Sequence, residues 1–150
     1  MPPAMALEIR HAGVVVSDLT RSLQFYRDLL GLRVVCVADE PPSYIGTLLA
    51  IQDGRVTTAK LAPATGETLI ELLEFHREAQ PIQSVREVDS IGPTHIALTV
   101  ADLDRAYLVL RERGAPFLAA PILSPDGLHK VAFCRDPDGT LLELVERLTK

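Results

Sequence analysis

The sequence predicts an α+β fold: two repeated βαβββ modules forming curled mixed β-sheets around a cleft, with the helices outside. Three observations carry that expectation. The stretch His11-Ala-Gly-Val-Val-Val-Ser-Asp-Leu-Thr-Arg recurs without a gap as His95-Ile-Ala-Leu-Thr-Val-Ala-Asp-Leu-Asp-Arg. A second stretch, Leu69-Ile-Glu-Leu-Leu-Glu, recurs as Leu141-Leu-Glu-Leu-Val-Glu. Both matches keep the same order, so each half opens on a His strand and closes on a Glu strand.

The elements follow in turn. Residues 10–16 and 94–100 are rich in β-branched and small apolar residues and read as strands. In 18–30 the apolar positions Leu19, Leu23, Tyr26 and Leu30 recur at helical spacing, and Gly31 follows as a stop. In 102–113 the stripe is Leu103, Ala106, Tyr107 and Leu110, with Gly114 as the stop. Ser17 or Asp18, and Asp102, are the candidate N-caps. Three strand candidates follow each helix. They are 32–38, 47–52 and 57–62 running on through 67–75 in the first half, and 116–119, 129–134 and 140–147 in the second. Asp136-Pro137-Asp138-Gly139 is a turn signal that joins the last two as a hairpin. Residues 76–93, with Pro81, Gly92 and Pro93, read as a linker with room for a short helix. Residues 1–150 are thus read as a single domain, with module one about 8–75, the linker about 76–93 and module two about 94–147.

Bulk properties narrow the classes. A chain of 150 residues suits one compact domain, and 47% hydrophobic with 23% charged residues reads as globular. The net charge of −5 and the lack of a basic stripe argue against a nucleic-acid partner. No stretch approaches the roughly 18 apolar residues of a membrane helix, and the N-terminus lacks signal-peptide character, so no membrane role and a cytoplasmic location are expected. Cys36 and Cys134 have no metal-site or disulfide spacing and read as reduced, half-buried thiols.

Side chains alternate across a strand. His11, Gly13 and Val15 therefore share one face, while Ala12, Val14 and Val16 share the other. His95, Ala97 and Thr99 oppose Ile96, Leu98 and Val100 in the same way. Glu71 and Leu73 share a face, as do Glu143 and Val145. The fully apolar faces belong under the helices, which leaves the His and Glu faces lining the cleft. A carboxylate in an apolar strand is costly unless something compensates it, and a cation would compensate both glutamates at once. Two imidazole nitrogens and two carboxylates suit one divalent ion: Zn, Ni, Co, Fe or Mn. His11, Glu71, His95 and Glu143 are therefore the candidate metal ligands. Val15, Leu73, Phe75 and Phe133 are the candidate apolar substrate-binding wall. His76 reads as a solvated linker residue and His129 as a loop residue near the cleft rim.

With these residues the chain resembles the vicinal oxygen chelate superfamily, which includes glyoxalases, epimerases, extradiol dioxygenases and antibiotic-resistance proteins. The likeness spans about residues 8–147. It is carried by the His11 and His95 stretches, by Phe25-Tyr26-Arg-Asp-Leu-Leu-Gly31, by Ile70-Glu71-Leu-Leu-Glu, and by Asp136-Pro-Asp-Gly139-Thr-Leu-Leu-Glu143-Leu. Glu71 is similar to the ligand pattern of glyoxalase I and methylmalonyl-CoA epimerase, because ring-cleaving dioxygenases of this fold use two His and one Glu. The resemblance implies a metal-dependent isomerase, epimerase or lyase. It would abstract a proton next to a metal-bound carbonyl of a small molecule, with Glu143 or Glu71 as the base and Glu143 favoured. An Fe(II) dioxygenase and a non-catalytic small-molecule binding or resistance protein are the alternatives. Bacterial glyoxalase I grips glutathione with an Arg and an Asn at the positions of Val15 and Phe75, so a glutathione adduct is not the expected substrate. Proteins of this kind are commonly dimers, and a homodimer is expected. The site is then formed within one chain or shared between two.

Overall fold

The computed structural model describes residues 5–6, 8–77 and 87–148. The chain divides into two compact units, Met1–Ala79 and Gln80–Lys150. Among the described residues, each unit holds a four-stranded mixed sheet.

In the first unit the strands are β1 (His11–Val15), β2 (Arg33–Glu40), β3 (Val56–Ala62) and β4 (Leu69–Phe75), in the order β1-β4-β3-β2. β1 and β4 are parallel and the remaining pairs antiparallel. Between β1 and β2 lies helix α1 (Leu19–Leu23), which continues into wider-wound turns over Gln24–Leu29. There the amide of Leu30 reaches back five residues to the carbonyl of Phe25. Asp18, the N-cap, accepts the amide of Arg21 at 2.9 Å, and Gly31 ends the segment at φ 77°.

The second unit repeats the plan with β5 (His95–Thr99), α3 (Leu103–Glu112), β6 (Ile122–Leu123), β7 (His129–Arg135) and β8 (Leu141–Arg147), in the sheet order β5-β8-β7-β6. Asp102 accepts the amide of Arg105 at 2.9 Å and Gly114 closes the helical segment at φ 84°. The expected α+β fold of two βαβββ modules is the fold observed.

The apolar strand faces form the cores. Val14, Val16, Ile70 and Leu72 are buried with Leu19, Phe25 and Tyr26 of the helical segment. In the second unit Leu142 and Leu144 are buried with Leu103 and Leu110. Cys134 lies in this core, and burial pushes its thiol up to about 11. Cys36 is exposed, so neither cysteine is half-buried as expected, though both are free thiols.

Three strand expectations are corrected. Residues 47–52 are not a strand. They include the end of helix α2 (Pro42–Leu49), which starts on Pro42 and stops at Ala50 in the left-handed region, φ 54°. The apolar run reads as a strand by composition, but proline at the first turn pre-sets a helix. Gly54 then packs under that start, where a Cβ would lie 2.3 Å from the carbonyl oxygen of Pro42. In the second unit the edge strand is Ile122–Leu123 rather than 116–119, where Phe117 makes a single bridge to Cys134. Residues 57–62 and 67–75 are two antiparallel strands, β3 and β4, rather than one run. A short helix in the linker would fall mostly on residues outside those described; residues 88–92 form turns and bends.

Candidate metal centre in two His–Glu pairs

Register brings the histidines and glutamates together in pairs. In the first unit His11 stands beside Leu69 and Gly13 beside Glu71 across the parallel β1–β4 pair. The side chain of Glu71 therefore slants to that of His11, with Nε2 to Oε2 at 3.0 Å. The second unit reproduces this, with His95 beside Leu141, Ala97 beside Glu143, and Nε2 to Oε2 at 3.1 Å. The register partner of each glutamate is Gly13 or Ala97, small enough to leave the carboxylate open. Both glutamates are largely but not wholly shielded, and both imidazoles keep about a third of their surface open.

The spacing fits a shared cation. Two donors about 2.1 Å from one ion lie about 3.4 Å apart at a tetrahedral angle and about 3.0 Å apart at the 90° of an octahedral site. Each His–Glu pair already has the latter separation, and neutral imidazole with carboxylate is a donor set for a borderline divalent ion. Among the described residues, no three His, Cys, Asp or Glu side chains converge on one point, so the donors stand as two pairs, one in each unit.

The surroundings of the two pairs differ. His95 Nδ1 lies 2.7 Å from Thr94 Oγ1, and the Phe133 ring meets the imidazole edge-on at a centroid distance of 5.2 Å. A proton on Nδ1 donated to Thr94 leaves Nε2 free to bind a cation. His11 has no such hydroxyl partner among the described residues. Glu71 instead has Lys60, its register neighbour on β3, with Nζ to Oε1 at 3.7 Å. The equivalent neighbour of Glu143 on β7 is Phe133.

The expected substrate wall is placed in part. Val15 and Leu73 are register partners on the Glu71 face, and Phe75 continues that face. Val15 is 63% exposed, while Leu73 and Phe75 are half-buried, with the Arg77 guanidinium 5.4 Å over the Phe75 ring. Phe133 is half-buried against His95 in the other unit. His129 opens β7 and pairs with Arg147, so it belongs to the sheet rather than a loop. His76 Nε2 lies 2.6 Å from Thr57 Oγ1, which donates to Asp39 Oδ1 at 2.5 Å. Thr57 opposes Glu74, so this relay lies on the sheet face away from Glu71. Asp39 and His76 also line an open cavity of about 430 Å³ with Glu40 and Arg55. Sequence reasoning missed Lys60 and Thr94. Thr94 is adjacent to His95 and was open to notice; Lys60 becomes a neighbour of Glu71 only through strand register.

Comparison with known proteins bears on the family and the fold. A family profile described as the Glyoxalase/Bleomycin resistance protein/Dioxygenase superfamily matches residues 8–144. The chain is 30% identical over 142 residues to the lactoylglutathione lyase of Salmonella typhimurium, covering 93% of each chain. It is 27% identical over 140 residues to a probable lactoylglutathione lyase of Synechocystis, covering 93% of this chain and 95% of the other. Among solved structures, a glyoxalase family protein of Bacillus cereus superposes with a TM-score of 0.88 at 21% identity, over 99% of both chains. The trypanothione-dependent glyoxalase I of Leishmania major gives 0.65 at 26%, covering 94% of this chain and 87% of the other.

Proposed function

Because the chain belongs to the Glyoxalase/Bleomycin resistance protein/Dioxygenase superfamily, we propose that it is a metal-dependent isomerase, epimerase or lyase acting on a small carbonyl compound. Its four ligands would be His11, Glu71, His95 and Glu143, and it would act as a cytoplasmic homodimer. The observation that carries this reading is the repeat of one arrangement. Glu71 stands to His11 as Glu143 stands to His95, at 3.0 and 3.1 Å. A site with only one functional glutamate would not need the first pair. The lactoylglutathione lyases among its relatives support lyase or isomerase chemistry at 27–30% identity.

A divalent ion in such a site supplies Lewis acidity to an oxygen beside the reacting carbon. The chain's own groups do the rest. The imidazoles of His11 and His95 present Nε2, and Thr94 orients the His95 ring through a hydrogen bond at Nδ1. Glu143 would accept the proton from the carbon next to the carbonyl on leaving the ion, and its neighbour on β7 is the uncharged Phe133 where Glu71 has Lys60. Val15, Leu73, Phe75 and Phe133 supply apolar surface that limits water around the developing charge.

The test is exchange of the α-proton of carbonyl compounds into deuterated water, followed by NMR. Exchange that requires the metal-loaded protein, stops with a chelator and falls at least about 100-fold in Glu143→Gln is expected. No metal-dependent exchange across a broad panel of aldehydes, ketones and oxo acids would overturn the reading. Val15 and Phe75 offer glutathione no polar contact, so the methylglyoxal–glutathione adduct should be a poor substrate. Saturable conversion of that adduct would refute this specificity.

A further inference from the structure

The ion pair between Lys60 and Glu71 is unlike the others described in the chain. Arg27 meets Asp28 at 2.6 Å, Arg55 meets Asp53 at 2.7 Å, and Lys130 meets Asp104 at 2.5 Å. In each of these the cation donates a hydrogen bond to its acid. Lys60 stops 3.7 Å short of Glu71, too far for one, and among the described residues its ammonium makes no hydrogen bond. Its side chain is 40% exposed in the centre of β3. An ammonium carries three donors. Here all three are open on the same sheet face as His11, Glu71 and Leu73.

The placement is specific to one half. Lys60 and Phe133 hold the same register position, beside Glu71 and Glu143 respectively. Glu71 with Lys60 sums to zero charge, whereas Glu143 alone carries one negative charge. Val15, Leu73 and Phe75 share this face, together with Thr58 beside Leu73 and the Arg77 guanidinium over the Phe75 ring. Lys60 neighbours Glu71 without hydrogen-bonding it, and its ammonium can donate to an anion brought up beside that candidate metal ligand.

Resting on the metal-dependent reading above, we propose that Lys60 binds a carboxylate of the substrate, so that the substrate class is a 2-oxo acid or close relative with an acidic group next to the reacting carbonyl. The compact ammonium takes one carboxylate oxygen as a point charge. An uncharged carbonyl compound of the same size leaves it unpaired and binds less well.

The test uses the full chain loaded with Co(II), whose metal content is measured first. Two probes of matched size, 2-oxobutanoate and 1-hydroxybutan-2-one, are titrated calorimetrically; both offer adjacent oxygens, and only the first is charged. Propanoate, a carboxylate without the neighbouring carbonyl, serves as the control for unspecific anion binding. The wild type should prefer 2-oxobutanoate over the uncharged probe by at least about tenfold, the size of one charge-assisted hydrogen bond. Lys60→Met should erase that preference while keeping its metal, and Lys60→Arg should retain most of it. Lys60→Gln provides a second neutral variant in case the methionine disturbs the sheet. A preference that survives in a metal-replete neutral variant, or propanoate binding as tightly as 2-oxobutanoate, overturns the assignment of Lys60 alone. A wild type that takes up no metal and binds neither probe overturns the metal-dependent reading and this inference with it.

Discussion

The half from His11 to Glu71 and the half from His95 to Glu143 are built on the same strand register, and they differ in what stands around it. Each places a small residue, Gly13 or Ala97, directly beside its glutamate, and each sets the imidazole about 3 Å from the carboxylate. The backbone relation is therefore kept by the sheet. The side chains flanking it are free to differ, and they do. Lys60 stands beside Glu71 where Phe133 stands beside Glu143, and Thr94 holds His95 where no described hydroxyl holds His11. The first half also carries helix α2 between β2 and β3, and the second carries only the two-residue β6 at its edge. The lesson is that the repeat keeps the His–Glu geometry and leaves the flanking positions free to differ. Under the proposed function, the first half would serve holding and charge recognition and the second proton transfer.

The equivalence of the two halves as ligand sources is the part with the largest consequence. Purified protein should hold about one divalent ion per chain, and His11→Ala or Glu143→Ala should each remove it, with loss of activity to background. Metal analysis by mass spectrometry reads this directly. Full occupancy in a His11→Ala/His95→Ala double variant would show that the pairs are not ligands at all. A variant series in which only one half matters would show that the repeat is structural there and functional elsewhere.

The cores offer a second comparison. Leu72 and Leu144 occupy the same repeat position, each next to its glutamate, and both are fully buried. Truncation of either to alanine removes buried apolar surface and leaves a cavity, at a cost of about 2–5 kcal/mol. Denaturant unfolding of the two variants should show losses of similar size. A difference above about 2 kcal/mol would mean that one core relaxes around the cavity and the other does not.

These residues also show what the sequence made legible. The alternation in His11–Val16 and in Leu69–Phe75 exposed which face is core and which carries chemistry, because burial imposes a period of two on a strand. Asp18, Asp102, Gly31 and Gly114 marked the helix ends for a local reason, since caps act within one turn. Residues 47–52 misled because a short apolar run carries no period of its own, and the signal that decided the matter, Pro42, sat upstream. The single edge bridge at Phe117, with β6 displaced to Ile122–Leu123, depended on tertiary pairing that composition does not encode. Lys60 was invisible for the same reason. Its partner Glu71 lies across a turn, and only the register of β3 on β4 makes them neighbours.

Whether the two halves that complete a site come from one chain or two is open to a mixing experiment. A His11→Ala chain and a Glu143→Ala chain are refolded together and their metal content measured. If a first half pairs with the second half of another chain, about half of the dimers are mixed and each holds one intact set of ligands, so about a quarter of the metal returns. If the halves of one chain complete each site, none returns. Light scattering on the same samples checks the expected homodimer, and a monomer would remove the shared-site arrangement altogether.

The helix starts provide the finest comparison and the smallest effect. Asp18 and Asp102 cap their helices with the same bond, a carboxylate oxygen accepting the amide three residues on at 2.9 Å. At α3 a second carboxylate takes part: Glu146 Oε2, reaching from β8, accepts the amide of Leu103 at 2.9 Å. Two of the four orphan donors at that end are therefore met by acids, and the positive end of the helix dipole keeps an anion if Asp102 is lost. At α1 no second carboxylate cap is present among the described residues. Asp18→Ala should then cost about 1 kcal/mol, the ordinary value for losing an N-cap, while Asp102→Ala should cost about half of that. Adding Glu146→Gln to Asp102→Ala should bring the loss up to the Asp18→Ala level or beyond, because the retained anion is then gone as well. Equal losses from the two single caps, measured by chemical denaturation at low salt, would show that Glu146 satisfies an amide without compensating the helix end.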